Sequence, residues 1–375
     1  MKHDLMGLIL AENSEAAMGE LTAVRPLAAV PFGGRYRMID FMLSCMVNSA
    51  IVNVGIITPY NFRSLSDNLD TGKDWVIDRK GNGLFLLPSK EMSETGEVSG
   101  GIDILNGITY HLNKCKQEYV LVSSCNTICN IDFAEVFKNH LETEADITMI
   151  YTEVGELNPK DLASRVLIDA DDTGRIRDIH VFPLQQKTNN VYMQMFIVKK
   201  DLLLELIGDA MAHNKHHISK DIFLPNLERL KIQGYKFEGY NRHIDNVKAF
   251  FDTNLELLES NIRKELFGIG KDMPIYTKIK DSVSTKYSQT SEVSNSFIAD
   301  GCLIEGTVKN SILFRGVHVG KGATVENCIL MQKSEVMDNC MVENVIFDKE
   351  VILRSGKKLV GQDTYPMVIG KNTII

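Results

Sequence analysis

The 375-residue sequence lacks the features that mark three common classes of protein. It has no apolar run close to the roughly 18 residues of a membrane-spanning helix. Its formal net charge is −8, whereas non-specific nucleic-acid binding needs a basic face. Its seven cysteines are scattered, and Cys125 and Cys129 have no second Cys/His pair nearby, so a zinc site is not indicated. We therefore expect a cytoplasmic protein with reduced thiols that binds neither membrane nor nucleic acid.

Short apolar strands alternate with helical stretches in the first 260 or so residues. The segments GLILA (7–11), IVNVGIIT (51–58) and YVLVSS (119–124) are typical of strands that are buried on both faces. This alternation predicts a Rossmann-like α/β domain with a mixed, mainly parallel sheet covered by helices. Ligands of such folds bind at the carboxyl ends of the strands, so candidate site residues should follow Ala11 and Ser124.

A different periodicity begins after a polar, Ser- and Thr-rich segment. Aliphatic residues there recur at about six-residue intervals in sets of three, with Gly, Asn and Asp at the intervening corners. These aliphatic residues are Leu313, Val319, Val325, Leu330, Val336, Val342, Ile346 and Ile352. The spacing predicts a parallel β-helix, which gives three segments: an α/β domain over 1–262, a linker over 263–295 and a β-helix over 296–375.

Two long segments resemble the glucose-1-phosphate adenylyltransferases of glycogen and starch synthesis. PFGGRYRMIDFMLSCMVNSAI (31–51) is similar to the family's PFGGKYRIIDFxLSNxxNSGI, and GKDWVIDRKGNGLFLLP (72–88) is similar to its GxxWDLDRxxGGxxxLPP. The resemblance implies a GT-A-like nucleotidyltransferase domain followed by a left-handed β-helix. It also implies the family reaction, in which ATP and glucose 1-phosphate give ADP-glucose and pyrophosphate with Mg²⁺ bound by aspartates.

The first loop, however, departs from the family's glycine-rich LAGGxGxR. Here it reads LAENSEAA, so that the paired glycines fall on Glu12 and Asn13, the third on Glu15 and the catalytic arginine on Ala17. The lysine of the family's RAKP falls on Leu27. Two carboxylates would then lie where triphosphate oxygens bind, and such a juxtaposition of like charges costs several kcal/mol.

Further family positions are also changed. The metal-binding aspartate of LxGDH falls on Asn126, and the second metal aspartate falls on His243, with Asp245 two residues further on. A neutral amide is a poor ligand for a hard cation. The family's GTADA segment keeps Gly100 and Asp103 but loses the preceding arginine, and HVFP (180–183) has lost the Glu and Lys of FVEKP.

The PFGGRYR block is retained, and the resemblance assigns its basic residues to an effector region. Arg35 matches the basic residue that lies near the family's site for anionic sugar-phosphate activators, and Arg37 follows after one residue. Arginine forks bind phosphate bidentately, so Arg35 and Arg37, with Gly33 and Gly34, are candidate phosphate-binding residues. The alternative is purely structural: the glycines make a turn, and Arg37 pairs with Asp40.

The degraded catalytic positions beside a retained effector block resemble the degenerate D-type subunit of bacterial enzymes of this family. We expect a chain that is catalytically inactive alone and modulates a catalytic homologue in a hetero-oligomer, with a tetramer as the expected stoichiometry. It would require no cofactor, and Mg²⁺ would matter only if activity remained. Two alternatives stay open: a weakly active enzyme with Asp103 and Asp245 as replacement ligands, and a non-catalytic sugar-phosphate sensor.

Overall fold

The computed structural model describes residues 4–11, 18–58, 62–70, 72–75, 77, 83–89 and 101–375. The strands of the α/β domain are β1 Leu5–Leu10, β2 Pro31–Phe32, β3 Tyr36–Arg37, β4 Val54–Thr58, β5 Leu84–Pro88, β6 Tyr119–Ser124, β7 Thr127–Cys129, β8 Ile147–Glu153, β9 Val166–Ala170, β10 Ile176–Val181, β11 Asn190–Lys199, β12 Ile232–Lys236 and β13 Asn241–His243. The helices are α1 Met38–Asn48, α2 Arg63–Leu69, α3 Gly101–Asn106, α4 Thr109–Lys114, α5 Phe133–Glu142, α6 Pro159–Leu162, α7 Lys200–Ala212, α8 Val247–Glu256 and α9 Ser260–Leu266.

A mixed sheet forms the centre of this domain. Its main path runs β10-β9-β11-β6-β1-β4-β5, with β8 pairing to β11 and β12. Strands β1, β4, β5 and β6 are parallel neighbours, whereas β9, β10 and β11 pair antiparallel. The predicted fold class, a mixed and mainly parallel sheet followed by a left-handed β-helix, is confirmed.

Helices cover both faces of the sheet, as the apolar strands predicted. In β1, Met6 and Leu8 pack into a core on one side with α3 and α7, while Leu5 and Ile9 pack on the other side with α1 and α5. Every residue of β1 is buried. Because β1 and β6 are parallel neighbours, their carboxyl ends lie side by side, and the loops that follow them define the candidate site.

The C-terminal strands stack in three parallel sheets, as in a β-helix. These strands are β14 Lys286–Tyr287, β15 Glu292–Ser294, β16 Phe297–Ile298, β17 Leu303–Ile304, β18 Thr307–Lys309, β19 Ile312–Leu313, β20 His318–Val319, β21 Thr324–Glu326, β22 Ile329–Leu330, β23 Glu335–Val336, β24 Met341–Glu343, β25 Val345–Phe347, β26 Ile352–Leu353, β27 Lys358–Val360 and β28 Met367–Ile369. Asn310, Asn327 and Asn344 recur at corners with positive φ (44°, 49° and 53°), a conformation that asparagine tolerates well.

The stacking register corrects the last two aliphatic positions of the predicted repeat. Leu330 stacks on Phe347, and Val336 stacks on Leu353. Phe347 and Leu353 are fully buried, whereas Ile352 is only partly buried. Phe347 and Leu353 each lie one residue after the position that the spacing predicted. The prediction was off by one because two apolar residues stand next to each other at both places.

One segment differs from what the sequence predicted, because the first strands of the β-helix lie inside the predicted linker over 263–295, where β14 already pairs with β17. In the α/β domain, α3 and α4 are two short helices separated at Gly107, a residue that disfavours helix. The segment after α7 forms a short π turn followed by a 3-10 turn that contains Pro225, which has no N–H to continue a helix.

The β-helix packs directly against the α/β domain. One apolar cluster combines Phe32, Phe41 and Phe250 from the first domain with Ile312 and Phe314 from the β-helix. Among the described residues, no helix is both long and apolar enough to cross a membrane. Six of the seven cysteines are buried, and Cys115 is partly exposed.

Candidate functional site

Asn126 and His243, the two positions that align with metal-binding aspartates, are brought together by the fold. Asn126 lies two residues beyond the end of β6, and its carbonyl accepts a hydrogen bond from the Ile244 N–H at 2.7 Å. In the antiparallel β7–β13 ladder, His243 lies opposite Thr127, and its Nδ1 is 3.3 Å from the Thr127 Oγ1. The site therefore forms at the carboxyl end of a central strand, as the fold predicted.

Neither of these side chains carries a negative charge. Asn126 is a neutral amide, nearly buried, whose Oδ1 faces the Cys125 thiol at 3.6 Å. Burial holds the pKa of His243 well below its usual value, and the nearby Arg165 guanidinium lowers it further. At neutral pH the site therefore presents an amide and a neutral imidazole beside a guanidinium. Mg²⁺ prefers carboxylate oxygens and is repelled by a neighbouring cation, so these residues do not fit the ion that the family reaction uses.

The two proposed replacement carboxylates are already engaged. Asp245 Oδ2 forms an ion pair with Arg165 Nη2 at 3.1 Å and accepts from Ser164 Oγ at 3.2 Å. Asp103 Oδ2 is 2.8 Å from His216 Nδ1, in a contact that joins α3 to the loop after α7. Arg165 would have to be displaced before Asp245 Oδ2 could bind a metal, and His216 would have to be displaced before Asp103 Oδ2 could do so.

A large cavity lies beside this pair of strands. It has a volume of about 1100 Å³ and is lined by polar and aromatic side chains that include Arg165, Tyr192, His243 and Lys248. Its size is typical of pockets that hold a small molecule. Leu27, which takes the place of the family's lysine, is fully buried in the apolar cluster between the domains and presents no charge. Glu12, Asn13, Glu15, Ala17 and Gly100 lie outside the described residues.

The retained PFGGRYR block forms a tight hairpin between β2 and β3. Gly33 and Gly34 have φ values of 60° and 85°, which a side chain would strain. The Arg37 N–H donates to the Asp40 carboxylate at 3.0 Å, and its guanidinium donates to the Ser64 carbonyl at 2.8 Å. The block thus has the structural role that the sequence allowed, with the backbone of Arg37 rather than its guanidinium bonded to Asp40.

Cations from both domains and from the segment between them gather around this hairpin, and we call them the interdomain basic cluster. Its members are Arg25, Arg35, Arg37, Lys278, Lys280, Arg315, Lys333 and Lys349. The pKa of Lys349 falls to about 7 through burial and then through its neighbours Arg37 and Arg25. Burial, followed by Arg37 and Arg315, likewise lowers the pKa of Lys280. Of these cations, only Arg35 and Arg37 lie in a segment that the family resemblance singles out.

The cluster has more positive charge than its nearby carboxylates neutralise. Arg25 is matched by Asp348, with Nη2 and Oδ2 2.6 Å apart and both side chains buried. The Arg315 Nε lies 3.8 Å from Asp300 Oδ2, and within the described residues its buried Nε and Nη2 have no hydrogen-bond partner. Buried, unsatisfied guanidinium donors favour an anion that would accept from them.

Comparison with known proteins places these observations in context. Residues 7–260 match the nucleotidyl transferase family, and residues 280–365 match the GlmU-like, C-terminal hexapeptide family. The glycogen biosynthesis protein GlgD of Bacillus subtilis is 33% identical over 372 residues, which cover 99% of this chain and 97% of that protein. GlgD of Geobacillus stearothermophilus is 36% identical over 87% of this chain and 84% of its own length. The glucose-1-phosphate adenylyltransferase of the same organism is 33% identical, again over 87% and 84%.

Proposed function

We propose a function from the premise that the chain belongs to the nucleotidyl transferase family, and within it to the group of GlgD proteins and glucose-1-phosphate adenylyltransferases. In this proposal the chain is a regulatory subunit of glycogen synthesis. It does not make ADP-glucose itself, but assembles in the cytoplasm with a catalytic homologue and changes the activity of that homologue.

The observation that carries this proposal is the pair Asn126 and His243. These residues occupy neighbouring positions at the end of β6, where the family's reaction needs two carboxylates for Mg²⁺. Loss of a single group that stabilises charge in a transition state typically costs a factor of about 10² to 10³ in rate. With both carboxylates absent and Arg165 beside the site, these two positions offer Mg²⁺ no charged ligand.

The interdomain basic cluster supplies the regulatory part of the proposal. It lies between the two domains, next to the retained hairpin, and its surplus charge suits a phosphorylated or sulfated effector. A phosphate bound there would accept from Arg315 and lie close to Lys280 and Lys349. Such a ligand would connect the β-helix to the loop that follows β1.

An assay of the chain alone and with its catalytic homologue tests the proposal. We expect the purified chain to form no ADP-glucose above background from ATP, Mg²⁺ and glucose 1-phosphate. Co-purified with the homologue, it should change kcat or the concentration of activator needed for half-maximal rate. A mixture with heat-denatured chain is the control. ADP-glucose synthesis by the chain alone, at a rate comparable with the homologue's, would overturn the proposal.

The cavity beside His243 favours a second candidate, a sensor that binds a sugar phosphate without turnover. Calorimetric titration with fructose 1,6-bisphosphate and glucose 1-phosphate distinguishes the two sites. Loss of binding in Lys280→Gln places the ligand in the basic cluster, whereas loss in Lys248→Gln places it in the cavity. Each variant serves as the charge-matched control for the other.

A further inference from the structure

Two aspartates and a histidine meet on one face of the edge hairpin β9–β10. Asp178 lies directly opposite Asp169 in the antiparallel ladder. His180 follows Asp178 by two residues, and side chains two apart along a strand lie on the same face. Its Nε2 is 3.0 Å from Asp169 Oδ2, and its Nδ1 is 3.7 Å from Asp178 Oδ2. None of these three residues belongs to the cavity or to the interdomain basic cluster.

This arrangement needs a positive charge at its centre. Like charges directly opposite each other in a ladder are destabilising. Both carboxylates take His180 as their ion-pair partner. The adjacent cation, Arg177, projects elsewhere and pairs with Asp171, with Nη2 and Oδ2 2.6 Å apart. A divalent cation bound between the two facing carboxylates and the imidazole would relieve the repulsion between them, and a neutral imidazole is the form that ligates a metal.

We propose that Asp169, Asp178 and His180 form a binding site for a divalent transition-metal ion of the zinc type. One imidazole nitrogen and two carboxylate oxygens are a ligand set that zinc accepts, with water completing the coordination. The three ligand atoms lie within 4.8 Å of one another. Two atoms that are each about 2.1 Å from one ion are at most about 4.2 Å apart, so a small rotation is needed.

The exposure of the three side chains permits that rotation. Only 11% of the His180 side chain is exposed, whereas Asp169 and Asp178 are 44% and 51% exposed and have space to turn. Asp178 Oδ1 accepts from the Ile179 N–H at 2.8 Å, so a rotation of this carboxylate would have to lengthen or replace that hydrogen bond. The solvent-facing rim gives an ion direct access. Once bound, the ion would hold β9 and β10 together at the edge of the central sheet.

Zinc titration of the full-length, tag-free chain after treatment with a chelator tests the site. We expect one Zn²⁺ per chain by calorimetry, a rise in Tm on adding ZnCl₂, and a visible absorption band with Co²⁺. His180→Ala and Asp178→Asn should each weaken Zn²⁺ binding by at least tenfold and remove the rise in Tm. Having both variants guards against a folding defect in either one.

The control is His213→Ala. His213 is an exposed histidine that pairs with one carboxylate, Asp209, at 3.4 Å. It should leave the affinity for Zn²⁺ unchanged. The proposal is overturned if the wild-type chain binds no Zn²⁺ in the micromolar range, or if His180→Ala binds Zn²⁺ as tightly as the wild type does.

Discussion

Arg25 of the α/β domain and Asp348 of the β-helix form a fully buried ion pair between the two domains, with Nη2 and Oδ2 2.6 Å apart. The Arg25 Nε also donates to the Leu21 carbonyl at 3.0 Å, and the second oxygen of Asp348 accepts from the Lys349 N–H at 2.7 Å. The pair thus fixes the segment after β1 against one coil of the β-helix.

Asp348→Asn should destabilise the whole chain. The substitution leaves the Arg25 guanidinium buried without a counter-charge, and breaking a buried pair in this way costs about 3–5 kcal/mol. Chemical denaturation followed by tryptophan fluorescence measures the loss, since Trp75 is buried in the α/β domain. Arg229→Gln, which removes an exposed pair with Glu205, is the control and should leave the unfolding midpoint in place. An equal midpoint for both variants would show that the buried pair contributes no stability.

Anion binding to the interdomain basic cluster should weaken as pH rises through 7. The pKa of Lys349 is about 7, so this ammonium is about half protonated at that pH. An anion favours the protonated form and is therefore bound most tightly below pH 7. Titration with fructose 1,6-bisphosphate from pH 6 to pH 9 measures the trend, and Lys349→Met should flatten it. A pH dependence that persists in this variant would assign the titration to another group.

Lys349 also makes the free energy of unfolding depend on pH when no ligand is present. Because burial disfavours its charged form, its contribution changes with pH in the opposite direction from that of a lysine whose charged form is stabilised. Its folded pKa lies below the ordinary lysine value of 10.5, so the unfolded chain binds more protons between about pH 7 and pH 10.5. The contribution of Lys349 to the free energy of unfolding therefore increases with pH across that window. Lys349→Met should reduce this increase in denaturation experiments without ligand.

The double variant Asn126→Asp/His243→Asp should gain affinity for divalent metal. It places two carboxylates next to each other at the end of β6, and we expect Mn²⁺ to bind at least tenfold more tightly than to the wild type. Electron paramagnetic resonance of free Mn²⁺ measures binding directly. His213→Asp/Asn214→Asp makes the same change of residues at an exposed turn and should show no such gain. No gain in the first variant would mean that these positions do not account for the proposed absence of catalysis.

Asp40 should make the chain less stable as pH rises from about 4 to 7. Burial raises its pKa from 3.8 to about 7, so its contribution is fully present below pH 4 and is lost as pH rises through 7. A shift of this size corresponds to an effect on the order of 4 kcal/mol. Asp40→Asn keeps an oxygen for the Arg37 N–H and should be more stable relative to the wild type at pH 8 than at pH 4. Urea denaturation at the two pH values measures the difference.

The sequence predicted those features that depend on local periodicity. Leu313, Val319 and Val325 are fully buried in the β-helix, as their six-residue spacing predicted. The order of strands also predicted that candidate site residues would follow Ser124, and the resemblance identified Asn126 and His243 as positions to compare.

The basic cluster could not be found in the same way. Lys280, Arg315 and Lys349 come from three segments without a shared motif, and their proximity arises only when the β-helix docks on the first domain. The buried pair of Arg25 and Asp348 was missed for the same reason, because neither residue has a local signal that separates it from an exposed charge.

The apolar cluster between the domains has a consequence for how the chain can be divided. Phe32 and Phe41 share one core with Ile312, Ile329 and Ile346, which lie in successive coils of the same stacked sheet. Cutting the chain between the two domains would expose this core to water and leave Arg25 and Asp348 without each other. The place where the sequence pattern changes is therefore a boundary between two kinds of fold and not between two independent units, because each half buries part of its apolar surface only against the other.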